Sequence, residues 1–352
     1  MAFTLSVIVP AYNEEEGLPA TLESLLRQTE PADAIYVVDD GSSDRTAEVA
    51  RAYPGVTVLQ PDHNLGSKAK AQNYALPFCK DTQLVLPVDA DTVLSPDYIR
   101  LVKEPFDNDD VAIAAGNVQT RFTKHPTERG RQIEYLFGFH MYRPIQNMAN
   151  APVVCSGCCS VFRWQELTDF GGFPERTIVE DFDYTWTKQI AGRRAIYVGK
   201  AEAYAADPET VGYLKKQMWR WMAGFFQNMR IHMWQAIRHK PMLATWGLLA
   251  IWEILTAPIW WTMPIWAPLI IHMAWSTAAF WFIGVELAMT LPVVVGASIR
   301  RKLNPFKVLL NVPFVYFNKG FNCYYAWKGM VVELVLVPLK LAKGLSTYEK
   351  GR

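Results

Sequence analysis

Cysteine and excess charge are both scarce in this chain of 352 residues, which holds five cysteines and six histidines. Cys155, Cys158 and Cys159 sit close together, but no histidine or second cysteine pair stands at the spacing a zinc site needs. A cytosolic compartment disfavours disulfides, so the cysteines read as small packing residues. Lysine and arginine number 35 against 34 aspartate and glutamate, a formal charge of +1. Binding nucleic acid takes a concentrated basic face, and no basic run appears ahead of Arg238, which excludes that class of partner. The opening FTLSVIVPAYN is interrupted too early by Pro10 and Asn13 for a secretory leader, and it reads as a buried strand.

Ionisable side chains are rarest between Pro241 and Ile299, where only Glu253, His272 and Glu286 occur. One spanning helix needs roughly 20 apolar residues. Pro258, Pro264 and Pro268 cluster near the middle of the tract, so it divides into two spans, about 242–263 and 269–298. A third apolar region, about 306–342, is broken by Asn318, Lys319, Gly320, Lys328 and Glu333 and is either spanning or interfacial. Arg238, His239 and Lys240 precede the first span, and Arg300, Arg301, Lys302 and Lys307 follow the second. The positive-inside rule then places both flanks in the cytoplasm. The expected organisation is a cytoplasmic domain over residues 1–230 and a multi-pass cell-membrane domain over 231–352.

Within the first part, strand and helix patterns alternate. Leu5 to Val9 is β-rich, and Leu18, Leu22, Leu25 and Leu26 recur at helical spacing up to Gln28. AIYVVDDGSSD is a strand and turn leading to a helix near Asp44 and Arg45, VTVLQ a third strand, SKAKAQNYAL a third helix and QLVLPVDAD a fourth strand. Such alternation predicts an α/β fold whose mostly parallel sheet carries helices on both faces, with ligands at the carboxyl ends of the strands. Polar residues collect at those ends: Tyr12, Asn13 and Glu14; Asp39 and Asp40; Asp89 and Asp91. Acidic loops brought together repel one another unless they hold a cation or accept from ligand donors.

The DAD triplet, Asp89 to Asp91, suits a hard ion such as Mg²⁺ or Mn²⁺, although the same triplet also makes an ordinary turn before a helix. Asp39 and Asp40 suit either a Gly-Ser turn or the N–H of a uracil ring, on which Tyr12 can stack. Lys68 and Lys70 are helix decoration or a diphosphate contact. Glu180, Asp181 and Asp183 in VEDFDYTW suit a general base or an acidic helix start. Gln217, Arg220 and Trp221 of QMWRW share one helical face, suited to a polar ring-shaped ligand with negative charge or to a belt at the headgroup level.

Together VIVPAYNEEEGLPATLESLLRQT, VVDDGSSDRT, NLGSKAKAQN, DAD, SGCCSVFR, VEDFDYT and QMWRW, in this order, resemble the inverting family 2 glycosyltransferases of the GT-A, Rossmann-like fold. The resemblance runs over roughly residues 4–230 and is strongest to membrane-bound processive synthases of the cellulose, chitin, hyaluronan and poly-N-acetylglucosamine type, which carry a QxxRW motif. It implies that Pro10, Tyr12, Glu14 and Asp40 hold the nucleotide base, and that Lys70, Asp89 and Arg220 hold the rest of a nucleoside diphosphate sugar, UDP-linked by preference. It also implies that Asp91 with Asp89 binds Mg²⁺ or Mn²⁺, that Asp181 is the catalytic base, and that Glu180, Gln217 and Trp221 contact the acceptor.

The chain departs from such synthases in having no span ahead of the catalytic domain and a short membrane part. Processive extension of a glycan therefore competes with transfer of one sugar to a polyprenyl phosphate or membrane lipid, and homo-oligomerisation is left open. A silent sugar-nucleotide sensor or scaffold would need a broken acid set. A nucleotidyltransferase opens on a Gly-rich basic loop, which PAYNEEE is not.

Overall fold

The structure is a computed structural model that describes residues 3–345. Its first half follows the alternation: β1 (Leu5–Ala11), α1 (Leu18–Leu26), β2 (Ala34–Asp39), α2 (Thr46–Arg51), β3 (Val56–Leu59), α3 (Lys68–Ala75) and β4 (Leu84–Pro87). Strand β1 shows why. Val7 and Val9 enter the core on one side of the sheet and Ile8 the core on the other, all three fully buried. A strand covered on both faces must be apolar throughout, as a parallel sheet between helix layers requires. Leu18, Leu22 and Leu25 form the buried stripe of α1, and the Ser67 side chain caps α3 by accepting the Lys70 N–H.

The second half is less regular: β5 (Val93–Leu94), α4 (Tyr98–Lys103), β6 (Val111–Thr120), α5 (Pro126–Phe137), α6 (Arg143–Met148), β7 (Ser160–Arg163), α7 (Trp164–Asp169), α8 (Glu180–Ile190) and β8 (Arg194–Ala205). The strands form one sheet in the order β3-β2-β1-β4-β7-β6-β8-β5. Pairs β1–β2, β2–β3, β1–β4 and β6–β8 are parallel, whereas β7 runs antiparallel to both neighbours and β5 runs antiparallel to β8. The sheet is thus more mixed than the alternation predicts: the segment from β6 to β7 holds two helices, α5 and α6, yet returns the chain as a four-residue strand that runs against both of its neighbours.

Helix α9 (Val211–His239) is continuous through residue 230, so no break in the backbone marks the expected domain boundary there. It leads to α10 (Pro241–Trp261), α11 (Met263–Ile270), α12 (Trp275–Arg300), α13 (Pro305–Leu309) and α14 (Val312–Val331). Among the described residues two helices, α10 and α12, are long and apolar enough to cross a bilayer by length and composition. The second begins at Trp275 rather than near 269, because Pro264 and Pro268 belong to a separate short helix, α11. Helix α14 packs on α5 and α9. At Gly130 of α5 a Cβ would stand 2.5 Å from the Phe314 carbonyl oxygen and 2.6 Å from Asn318 Nδ2, and Asn318 donates to the Thr127 carbonyl at 2.9 Å. The absence of a side chain at Gly130 is what lets α14 lie against the sheet domain.

Candidate active site

The carboxyl ends of β1, β2 and β4, the start of α8 and one face of α9 open onto a single cavity of about 1250 Å³. Pro10, Tyr12, Glu14, Asp40, Asp89, Asp91, Glu180, Asp181, Gln217, Arg220 and Trp221 all line it. Lys70 does not: it is exposed on the outer side of α3, and Lys68 is the lysine that lines the cavity.

Each loop is fixed by its own backbone. The Asp40 carboxylate accepts the Leu65 N–H at 2.6 Å, and Asn64 Nδ2 donates to the Asp40 carbonyl at 2.6 Å. Burial raises the Asp40 carboxyl above its ordinary pKa, with the Leu65 and Gly66 N–H groups opposing. Its neighbour Asp39 turns away, accepting from Ser42 N–H and Gln60 Nε2. Tyr12 stands 41% exposed at the rim, where an aromatic face can meet a planar ring.

Lys68 joins the two halves of the site. Its ammonium pairs with Asp89, donates to the Gly157 carbonyl at 3.1 Å and lies 3.9 Å from Glu180. Burial opposes its charge, yet Asp89 and Glu180 hold it above the ordinary lysine pKa. One cation therefore ties the β4 loop, the SGCC turn and the first turn of α8 together.

Asp181 is oriented by backbone donors: Gly157 N–H to Oδ2 at 2.7 Å and Phe182 N–H to Oδ1 at 2.7 Å. A Cβ at Gly157 would stand 3.1 Å from Asp181 Cβ, so glycine permits this close approach. Two residues on, Asp183 takes no part in the cavity. It is fully buried and receives Arg176 Nε at 2.8 Å and His232 Nε2 at 2.7 Å, which anchors α8 to α9.

Burial pushes Glu180 from its ordinary 4.5 up to about 7, against the opposing charge of Lys68, and burial likewise lifts Asp207 from 3.8 to about 7. Both groups bind a proton more tightly in the folded than in the unfolded chain. Their ionisation therefore costs stability progressively as pH rises from about 4 towards 7, and the cost is complete above that. The expected result is a Tm that falls between pH 5 and pH 8, with Glu180→Gln removing part of the fall. A wild-type Tm that is flat or rises over that window contradicts the burial of these two acids.

Behind the QMWRW face lies Arg131 of α5, a residue the sequence reading passes over. It is 4% exposed. Its Nη2 donates to Gln217 Oε1 at 2.9 Å, its Nη1 to Glu134 Oε2 at 2.5 Å, and its Nε lies 3.5 Å from Asp207. The guanidinium carbon stands 4.9 Å from the centre of the Trp221 ring. Arg131 thus sets the orientation of both Gln217 and Trp221. Arg131→Met strands Glu134 and Asp207 as buried acids and is expected to cost about 3–5 kcal/mol, read as a lowered Tm. Arg131→Lys, which keeps the charge and loses the fork, is expected to recover most of that stability. A Tm no higher for Arg131→Lys than for Arg131→Met contradicts the charge pairing.

Asp91 and Asp89 flank one turn, which Arg121 and the Thr92 N–H brace through the Asp91 and Asp89 carbonyls. Glu14 stands close by: a Cβ at Gly17 would lie 3.0 Å from Glu14 Oε2 and 3.3 Å from Asp91 Cβ. Among the described residues no group of three or more His, Cys, Asp or Glu side chains forms a closed metal cage. This oxygen-only set is the kind that Mg²⁺ or Mn²⁺ uses when phosphate and water complete the shell, so the residues fit such an ion.

Comparisons with known proteins bear on the family and the fold. Residues 3–224 match the family described as Glycosyltransferase like family 2. A poly-beta-1,6-N-acetyl-D-glucosamine synthase of Staphylococcus epidermidis is 28% identical over 242 residues, 68% of this chain and 58% of that protein. A hyaluronan synthase of Streptococcus pyogenes is 30% identical over 269 residues, 71% of this chain and 63% of that protein. The chain spans about three-fifths of the length of these relatives. The mannosyltransferase PcManGT from Pyrobaculum calidifontis, in complex with GDP-Man and Mn²⁺, has a similar fold, with a TM-score of 0.61 at 21% identity over 95% of this chain and 88% of that one. S. aureus TarS 1–349 in complex with UDP gives a TM-score of 0.51 at 19% identity over 93% of this chain and 90% of that one. With its whole sheet lying within the matched residues, the chain belongs to glycosyltransferase family 2.

Proposed function

We propose that the chain is a membrane-bound inverting glycosyltransferase that moves a sugar from a nucleoside diphosphate sugar to a glycan acceptor. The observation that carries this reading is the single cavity shared by Tyr12, Asp40, Asp89, Asp91, Asp181, Arg220 and Trp221. In it, Tyr12 and Asp40 receive the base, Lys68 and Arg220 face the diphosphate, and Trp221 receives the acceptor ring. Asp181 takes the proton from the acceptor hydroxyl, which attacks the anomeric carbon from the side opposite the diphosphate. The two N–H groups on Asp181 hold its carboxylate in place without neutralising it. Arg220 and Lys68 face the charge that develops on the leaving diphosphate. Asp91 and Asp89 would hold Mg²⁺ or Mn²⁺, which when bound supplies further neutralisation of that charge; Mn²⁺ accompanies GDP-Man in PcManGT.

The bilayer assignment rests on α10 and α12. Only 17% of the apolar window of each is buried, whereas a core helix of a soluble domain would be mostly covered. Trp252 and Phe280 stand 65% and 70% exposed, as side chains facing lipid do. The basic residues Arg238 to Lys240 and Arg300 to Lys302 support a cytoplasmic side for the catalytic cavity.

The test is the full chain in lipid nanodiscs, incubated with a panel of UDP and GDP sugars while released nucleotide and product size are measured. Release with at least one donor is expected, reduced about tenfold or more by EDTA and restored by Mg²⁺ or Mn²⁺. No release with any donor, or release unaffected by EDTA, contradicts the proposal or its metal site respectively.

A further inference from the structure

The chain enters α8, the helix that carries Asp181, at Val179 with no side-chain cap. The segment leading in lies directly on α9: at Gly224 a Cβ would stand 2.4 Å from Val179 Cγ2 and 3.0 Å from Ile178 Cγ2. The Ile178 N–H donates to Gln227 Oε1 of α9 at 3.0 Å. Gln227 is 5% exposed and does not line the cavity. The other end of its amide is held from the far side, where Nε2 donates to Glu333 Oε1 at 3.0 Å and to the Leu345 carbonyl at 2.9 Å.

Glu333 is one of the residues that break the third apolar region, and it is wholly buried against α9. Arg230 Nη1 donates to its carbonyl at 3.1 Å and stands 3.7 Å from Oε2, and the Leu345 N–H donates to Oε1 at 3.3 Å. A Cβ at Gly344 would stand 3.3 Å from both carboxylate oxygens, so the chain closes over the acid as backbone. An amide has a donor end and an acceptor end, and the Ile178 N–H can use only the acceptor. A carboxylate accepts and cannot donate, so Glu333 draws Nε2 towards itself and leaves Oε1 for Ile178.

We propose that Gln227 is a positioning residue for transfer, a role that rests on the reading of Asp181 as the base, and that Glu333 sets the sense of its amide. The Gly157 and Phe182 N–H groups orient the Asp181 carboxylate, whereas Gln227 fixes the backbone three residues before it. Loss of that hold lets the first turn of α8 shift and moves the base off the acceptor hydroxyl. A displacement of about 1 Å is enough to cost about 10²-fold in rate. The proposed nucleotide contacts on β1, β2 and β4 are untouched by it.

The test compares the full chain in lipid nanodiscs as wild type, Gln227→Met, Glu333→Leu, Glu333→Gln and the double variant Gln227→Met/Glu333→Leu, with turnover taken per folded molecule. Gln227→Met is expected to lower kcat about tenfold or more, with donor KM and the affinity for UDP or GDP, whichever the wild type binds, within about twofold. Glu333→Leu should do the same, and the double variant should lose no more than either single one, because both act through one amide. Glu333→Gln, whose carbonyl can still accept Nε2, should recover most of kcat. With no donor present, hydrogen exchange over Ile178 to Asp181 should quicken about tenfold or more in Gln227→Met. An unchanged kcat per folded molecule, a loss of nucleotide affinity in step with kcat, or unchanged exchange over Ile178 to Asp181 overturns the inference. Asp181→Asn is measured alongside. Collapse there with full turnover in Gln227→Met sinks the positioning role and spares the base; full turnover in Asp181→Asn sinks the base and the role with it.

Discussion

Asp181→Asn is expected to lower transfer by about 10²- to 10⁴-fold while leaving the affinity for nucleoside diphosphate within about twofold. The amide is nearly isosteric with the carboxylate. Its one oxygen can keep either the Phe182 or the Gly157 N–H while the other faces the amide NH2, so one backbone hydrogen bond is lost together with the proposed proton acceptor. The proposed nucleotide contacts lie on other elements, at the ends of β1, β2 and β4, and do not pass through Asp181. Single-turnover transfer and equilibrium binding on the same preparation separate the two effects. Turnover near that of the wild type removes Asp181 from its role; loss of nucleotide affinity in step with turnover makes it a structural residue instead.

Lys68→Met is expected to be nearly as damaging, for a different reason. Methionine fills the space of the lysine stem but leaves Asp89 and Glu180 facing each other without the cation that now lies between them. Removing one partner of a buried pair costs about 3–5 kcal/mol, and here both remaining acids belong to the site. Donor affinity and turnover should each fall, together by about 10²-fold or more, with a lowered Tm. Lys70→Met, two residues away on the exposed side of α3, should leave all three within about twofold. A result in which Lys70→Met is the damaging substitution would restore the role that the resemblance implies for Lys70 and contradict the structure.

That contrast shows what the sequence can and cannot resolve. Residues two apart on a helix differ by about 200° in direction, so only one of Lys68 and Lys70 can face the cavity. Their spacing does not say which, because the phase is set by where Ser67 caps α3. Asp39 and Asp40 pose the same problem on a strand, where successive side chains point to opposite faces. Here Asp39 closes the turn onto Ser42 and Asp40 lines the cavity. By contrast, the convergence of the strand-end acids was legible, since an apolar run followed by carboxylates places them at one edge of a parallel sheet.

The shared face of Gln217, Arg220 and Trp221 was equally legible from their spacing. Arg131 was not, because PTERGRQIEYLF reads as an ordinary polar helix until tertiary packing buries one side of it. The only local hint is that Arg131, Glu134 and Tyr135 stand at i, i+3 and i+4. The reversal at β7 left no trace either, four residues being too few to show a period.

The most direct test of the account is the anomeric configuration of the product, followed by NMR in the wild type and in Asp181→Asn with an α-linked nucleotide sugar. One attack from the face opposite the diphosphate, with Asp181 taking the proton, predicts a β-linked product whose formation collapses in the variant. An α-linked product, or a β-linked one formed at the same rate without the carboxylate, would contradict it.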